Sequence, residues 1–183
     1  LCPGRQLGTH RVMAPDGPGG GSRRTQPGRE WPCALHRQEE GLDLLSHGGG
    51  EGASAEWLAG IDGYDLVLLD LPLGMAPVIP CRRLLVVNAD ANCHVRLHRH
   101  PWAADERLLV TQFSSQRALQ QGLLDLWLAG GLPLLNLHLH RDEAMAEAMA
   151  AKLPVGRYAP TSLVAHELAA LATWCLAEGE APR

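Results

Sequence analysis

Short apolar runs alternate along this chain with longer segments in which apolar residues recur every three or four positions. Runs that are apolar on both faces are typical of buried strands, and the longer spacing is typical of helices that pack on them. The pattern predicts strands at 66–69, 84–88, 107–111 and 133–139. It predicts helices at 54–60, 90–98, 114–129, 142–153 and 162–176.

The order of these elements is strand then helix, repeated. This order predicts an α/β fold with a mostly parallel sheet and helices on both faces, joined by right-handed crossovers. A further short apolar run at 42–45 precedes a glycine-rich break and predicts an edge strand.

The first 40 residues differ in composition from the rest of the chain. Residues 1–32 contain seven Gly, five Pro and five Arg, and they show no strand or helix period. Such a segment buries too little apolar surface to offset the entropy lost on ordering. We therefore expect residues 1–40 to be disordered or not native to the domain. Residues 41–177 are expected to form the α/β domain, and residues 178–183 a tail.

Composition narrows the classes of function. The net charge of −4 does not indicate the basic surface that is typical of nucleic-acid-binding proteins. No apolar run reaches the roughly 18–20 residues that span a bilayer. The five cysteines are widely spaced without a CxxC pair, which indicates neither a zinc site nor a disulfide framework. These features predict a cytoplasmic protein with reduced thiols.

A carboxylate, Asp70, directly follows the predicted strand at 66–69. Parallel strands present functional side chains at their carboxyl ends, and an isolated buried carboxylate costs several kcal/mol. The segment that ends in Asp70 and Pro72 is similar to the acidic motif of P-loop NTPases, in which an Asp orients a magnesium-bound water. An Asp that caps the turn after the strand is the alternative, and the pattern alone does not separate the two.

Three longer stretches resemble one family. They are VNADANCHVRLH at 87–98, HRDEAMAEA at 140–148 followed by AKLPVG at 151–156, and ATWCL at 172–176. Together with residues 64–72, they resemble the bacterial cellulose-biosynthesis family BcsQ, also called YhjQ. This family is part of the MinD/ParA-like branch of the P-loop NTPases. The resemblance covers about residues 41 to 177.

The resemblance implies a protein of an ATPase family that binds ATP with Mg²⁺ and forms a homodimer around the nucleotides. It implies a role in localising and activating the bacterial cellulose synthase and secretion complex, with small cytosolic accessory proteins as further partners. Such a protein is expected in the cytoplasm, recruited to the inner membrane or the cell pole through those partners.

The resemblance also assigns roles to single residues. Asp70 matches the catalytic, magnesium-side position, where it acts through a metal-bound water, and Pro72 matches the switch turn beside it. Gln112 falls where relatives carry an Asn that reads the adenine edge, and a Gln amide makes a similar pair.

The segment His140, Arg141 and Asp142 falls where relatives contact the base and the ribose. For Asp142, a helix N-cap is the alternative, and the capping preference of Asp favours it.

A phosphate loop is the family feature that this sequence does not match. The glycine-rich segment 48–52 lacks the Lys-Ser/Thr pair that such a loop needs, so we interpret it as a flexible loop. Backbone N–H groups of a phosphate loop hold the triphosphate. The chain as given is therefore expected to bind ATP poorly. A nucleotide-free scaffold that binds only partner proteins is the alternative function.

Two further interpretations stay open. The spacing of several histidines suits a metal site, although the low ligand count favours a solvated helix face for the first three. These histidines are His94, His98, His100, His138 and His140. A small hydrolase or transferase that uses Asp70 as a base is the weaker alternative.

Overall fold

The computed structural model describes residues 10–15, 35–39, 42–46, 64–71 and 75–179. The chain divides into two compact units, Leu1–Pro80 and Cys81–Arg183. The two units are described separately below.

The first unit contains a four-stranded sheet whose described pairings are all antiparallel. Its strands are β1 (His10–Pro15), β2 (Leu35–Glu39), β3 (Leu42–Ser46) and β4 (Tyr64–Leu69). They lie in the order β2-β3-β1-β4, so β3 and β1 occupy the middle of this sheet.

Two strand predictions for this unit are wrong in part. The pattern predicts a buried parallel strand at 66–69, whereas β4 pairs antiparallel with β1 and Leu68 is 44% exposed. The run at 42–45 predicts an edge strand, whereas β3 lies between β2 and β1. Strand direction and order depend on partners that are distant in sequence. An antiparallel sheet also tolerates one open face, which an apolar run does not reveal.

Strands also form inside residues 1–40, where the composition predicts no regular structure. Both β1 and β2 pair with β3. Strand formation depends more on the available partner than on local preference, which explains the difference. The domain bounds 1–40, 41–177 and 178–183 themselves stay a prediction.

The second unit is built on a parallel sheet, which confirms the predicted α/β class. Its strands are β5 (Arg83–Asn88), β6 (Glu106–Phe113) and β7 (Leu134–His140), in the order β5-β6-β7. All three coincide with predicted strands. The central strand is the most buried, with Leu108 at 0% and Val110 at 1% exposure.

Helices follow each strand of this sheet. They are α1 (Ala91–Leu97), α2 (Ala118–Ala129), α3 (Glu143–Ala151), α4 (Val155–Tyr158) and α5 (Leu163–Gly179). The single turn α4 is not predicted, and α5 runs past the predicted end at 176. Within the described residues, we find no helix with the length and apolar character needed to cross a membrane.

The ends of these helices follow local chemistry. Asp90 caps α1, because its Oδ1 accepts a hydrogen bond from the backbone N–H of Cys93 at 2.8 Å. Helix α2 begins later than the predicted position 114, because the Arg117 N–H donates to the Ser114 carbonyl oxygen at 3.0 Å and closes a turn. Gly131 follows α2 with φ of 69°, as expected for a helix terminator.

One apolar cluster joins α1 and α2 to the sheet. Its buried members are Ala89, Leu97, Leu108, Val110, Phe113, Leu123 and Trp127. The indole Nε1–H of Trp127 donates to His94 Nδ1 at 3.0 Å, so this buried donor is satisfied. A smaller cluster of Ala148, Val155 and Val164 joins α3, α4 and α5.

Candidate functional site

The carboxyl ends of β5, β6 and β7 lie at one side of the second unit's sheet, because the strands are parallel. Open α/β sheets bind ligands at this side. We name it the carboxyl edge and define it as Asn88, Gln112, Phe113, His140 and Arg141. The Arg141 N–H donates to the Phe113 carbonyl oxygen at 2.8 Å, which joins the ends of β6 and β7. The structure thus brings together the predicted site residues Gln112, His140 and Arg141.

Gln112 lies in a bulge at the end of β6. Val110 pairs with His138 and Phe113 pairs with His140, so β6 has one more residue than β7 over this interval. Gln112 takes up the difference with φ of 51°, a left-handed conformation that costs a non-glycine residue roughly 1–2 kcal/mol. Its side chain is exposed. Bulges and strained residues are frequent beside functional sites, where they redirect a side chain.

His140 is held by a glutamate from α5. Glu167 Oε2 accepts a hydrogen bond from the His140 backbone N–H at 2.7 Å, and Glu167 Oε1 lies within hydrogen-bond distance of His140 Nδ1. The side chain of Glu167 is 12% exposed and that of His140 is 27% exposed. Two contacts to one residue fix the orientation of the imidazole. The sequence pattern did not single out Glu167, because the contact spans 27 positions and no local feature marks it.

Aromatic rings pack around this imidazole. The buried ring of Phe113 makes edge contacts with His138 and His140, at centroid distances of 4.6 and 5.5 Å. Burial lowers the pKa of His138 below its ordinary value of 6.5, and His140 lowers it further, while Glu167 acts in the opposite direction. His138 therefore favours its neutral form.

Asp142 caps two helices at once. Its Oδ1 accepts from the Ala144 N–H at 3.0 Å at the start of α3, and its Oδ2 accepts from the Val164 N–H at 3.3 Å at the start of α5. This confirms the N-cap that its residue type predicts. Contact of Asp142 with a ribose stays a prediction. The double cap fixes the connection that carries Arg141.

Asn88 completes the carboxyl edge at the end of β5. It is paired in register with Thr111, whose hydroxyl donates to Asn88 Oδ1 at 3.0 Å and lies 3.3 Å from the Val87 carbonyl oxygen. This contact orients the exposed amide and leaves its N–H donors for a ligand. The sequence pattern predicts Asn88 at the end of a strand but assigns it no functional role. Its contact with Thr111 depends on the register between β5 and β6, which the local sequence does not show.

Comparison with known proteins identifies the family. A family model described as cellulose biosynthesis protein BcsQ matches residues 1–176. The cellulose biosynthesis protein BcsQ of Salmonella typhimurium (strain LT2) is 36% identical over 181 residues, covering 86% of this chain and 72% of that protein. A putative BcsQ of Escherichia coli (strain K12) is 40% identical over 119 residues, covering 62% and 49% respectively. The chain belongs to the BcsQ family. The match begins at residue 1 and so includes the segment 1–40 that the sequence resemblance left out.

In this BcsQ-family chain, Asp70 and Pro72 belong to the first unit. Asp70 is exposed and directly follows β4, and Pro72 lies outside the described residues. Since β4 is antiparallel to β1, Asp70 does not mark the end of a parallel strand as predicted. Its magnesium-side role and the switch role of Pro72 stay predictions.

His94, His98 and His100, whose spacing suits a metal site, contact other side chains in the structure. His94 accepts from Trp127 and its ring contacts that of His98 at 4.5 Å, while His100 Nε2 lies 2.8 Å from Oε2 of the buried Glu106. Over the described ranges, no group of three or more His, Cys, Asp or Glu side chains is arranged to hold a metal ion.

We expect Gln112→Gly to raise the free energy of unfolding by about 0.5–1 kcal/mol, since glycine adopts a positive φ without the steric cost paid by Gln. Chemical denaturation measures this change. Gln116→Gly is the matched control, because Gln116 has no positive φ, and it is expected to lower stability. A loss of stability in both variants would show that the bulge is not strained.

The depressed pKa of His138 predicts a pH dependence of stability. His138 binds a proton more readily in the unfolded chain than in the folded chain. The free energy of unfolding is therefore highest above pH 6.5 and falls as the pH drops through the lower, folded-state pKa of His138. Denaturation curves between about pH 5 and 8 measure this fall. We expect His138→Gln to reduce it and the exposed control His166→Gln to preserve it. An equal fall in all three proteins would exclude His138 as its cause.

Proposed function

We propose that this chain acts in cellulose biosynthesis as an accessory factor that helps to localise and activate the bacterial cellulose synthase and secretion complex. The observation that carries the proposal is the family match over residues 1–176. Relatives that bear the name cellulose biosynthesis protein BcsQ support it. The partners in this proposal are the synthase complex and its cytosolic accessory proteins, and any contact with the membrane is made through them.

The proposal includes an adenine nucleotide at the carboxyl edge. Gln112, His140 and Arg141 lie on the ends of two neighbouring strands and on the connection after them. An amide and an imidazole suit hydrogen bonds to a base or a ribose, and an exposed guanidinium suits an anionic phosphate. This set of polar groups therefore fits the base, the ribose and one charged group of a nucleotide.

This chain offers fewer groups that could bind the triphosphate and its Mg²⁺. The chain has a single Lys, Lys152, which ends α3 in a left-handed conformation. No Gly-rich segment is followed by Lys-Ser/Thr. Mg²⁺ would neutralise phosphate charge when bound. The magnesium-side role of Asp70 stays a separate prediction from the sequence, because Asp70 belongs to the first unit and the carboxyl edge to the second. We therefore expect ATP to bind more weakly than the micromolar range.

A nucleotide-free scaffold is the second candidate. Both carboxylate oxygens of Asp142 already accept backbone N–H groups, which favours a structural role for this predicted contact residue. In this candidate the helices bind partner proteins and the carboxyl edge holds no ligand. The nucleotide-dependent homodimer belongs only to the first candidate.

A cellular test separates these candidates. We expect the chain to restore cellulose secretion, measured by dye binding, in a cellulose-producing bacterium that lacks its own BcsQ-family gene. The double variant Gln112→Ala, Arg141→Ala is expected to bind ATP about tenfold more weakly, since two hydrogen-bonding groups are lost, and to restore less cellulose.

The control is Asn136→Ala, Arg99→Ala, which removes an exposed amide and an exposed guanidinium that lie outside the carboxyl edge and the loops that follow it. Full restoration by both double variants would favour the scaffold over the nucleotide-dependent factor. Failure of the unmodified, folded chain to restore any secretion would contradict the role in cellulose biosynthesis.

A further inference from the structure

We propose that Glu167 is a positioning residue that makes Nε2 of His140 a hydrogen-bond acceptor at the carboxyl edge. This acceptor selects a base that carries an N–H donor, such as the amino group of adenine. The ligand part of this proposal rests on the function proposed above. The orientation of His140 rests only on contacts within this chain.

The two contacts of Glu167 have different chemical requirements. The His140 backbone N–H can only donate, and it occupies Oε2 at 2.7 Å. The other oxygen, Oε1, faces His140 Nδ1. An ionised carboxylate accepts and cannot donate, so Nδ1 must carry the proton. In a neutral imidazole, Nε2 then carries no proton and acts as the acceptor.

The surroundings keep the imidazole in this orientation. Glu167 is 12% exposed, so its carboxylate is mostly removed from competing water. The His140 ring packs against Phe113 at 5.5 Å and His138 at 4.8 Å. His140 Nε2 has no hydrogen bond to any of the residues that the structure describes, and the side chain is 27% exposed. Because Glu167 engages Nδ1, Nε2 is the ring nitrogen left for a ligand.

An acceptor at this position distinguishes between purine bases. Adenine carries an amino group, which donates, at the position where hypoxanthine carries a carbonyl oxygen, which accepts. An acceptor in the protein pairs with the first and opposes the second. Sites that hydrogen-bond a specific group reject analogues that lack it. Glu167 thus acts on specificity through His140 without itself contacting the base.

The variant Glu167→Gln tests this directly, because it keeps the size and shape of the side chain. A Gln amide satisfies both contacts only if its oxygen accepts from the His140 backbone N–H and its NH₂ group donates to Nδ1. His140 must then move its proton to Nε2. The variant is therefore expected to invert the tautomer and turn the acceptor at the carboxyl edge into a donor.

Nitrogen-15 NMR of the histidine rings at about pH 8, where an ordinary imidazole is neutral, reports the tautomer. We expect Nδ1–H for His140 in the unmodified protein and Nε2–H in Glu167→Gln, with His140→Gln used to assign the signals. Glu143→Gln is the matched control: it removes the same charge from the exposed first turn of α3 and is expected to leave the tautomer unchanged. If Glu167 had only a structural role, its replacement by Gln would leave the tautomer of His140 unchanged.

Nε2–H in the unmodified protein would overturn the proposal, and this result does not depend on the folding of Glu167→Gln. Nδ1–H retained in a folded Glu167→Gln would overturn it as well.

Titration with ATP and with inosine triphosphate tests the ligand part. The unmodified chain is expected to prefer ATP, and Glu167→Gln is expected to lose about fivefold in ATP affinity while its affinity for inosine triphosphate does not fall. An unchanged preference for ATP in a variant with an inverted tautomer would overturn the selection of the base. Should the unmodified chain bind neither nucleotide, the nucleotide function fails, and the tautomer result still decides whether Glu167 positions His140.

Discussion

The parallel pairing of β6 with β5 on one side and β7 on the other fixes where the candidate residues of the second unit lie. The pairing depends on burial of the middle of β6, where Leu108 and Val110 are almost completely covered. Parallel strands end on the same side, so Asn88, Gln112 and His140 come together although they are far apart in sequence. Nothing in their local sequence would produce that arrangement without the pairing.

Two carboxylates then lock the last strand and its connection to α5. Asp142 accepts backbone N–H groups from the starts of α3 and α5, and Glu167 returns from α5 to bind His140. A capping hydrogen bond contributes about 1 kcal/mol. The larger consequence of these contacts is that they fix the path of the backbone between β7 and α3. Arg141 lies between the two held residues, so the position of its backbone is set from both sides.

Local chemistry was enough to predict part of this structure. The cap at Asp142 and the strands of the parallel sheet follow from residue type and short-range periodicity. Three features required partners that are distant in sequence: the bulge at Gln112, the contact from Glu167, and the antiparallel pairing of Tyr64–Leu69. The last of these was mispredicted because an apolar run gives no information about strand direction.

A nucleotide at the carboxyl edge of the parallel sheet is the central proposal. Mapping backbone amide chemical shifts by NMR during a titration with ATP and Mg²⁺ up to millimolar concentrations tests it most directly. We expect shifts concentrated at residues 88–90, 111–114 and 140–144, with the opposite side of the sheet, at 81–83, 103–107 and 132–134, unaffected. Shifts centred on that opposite side, or no shifts at all, would contradict it.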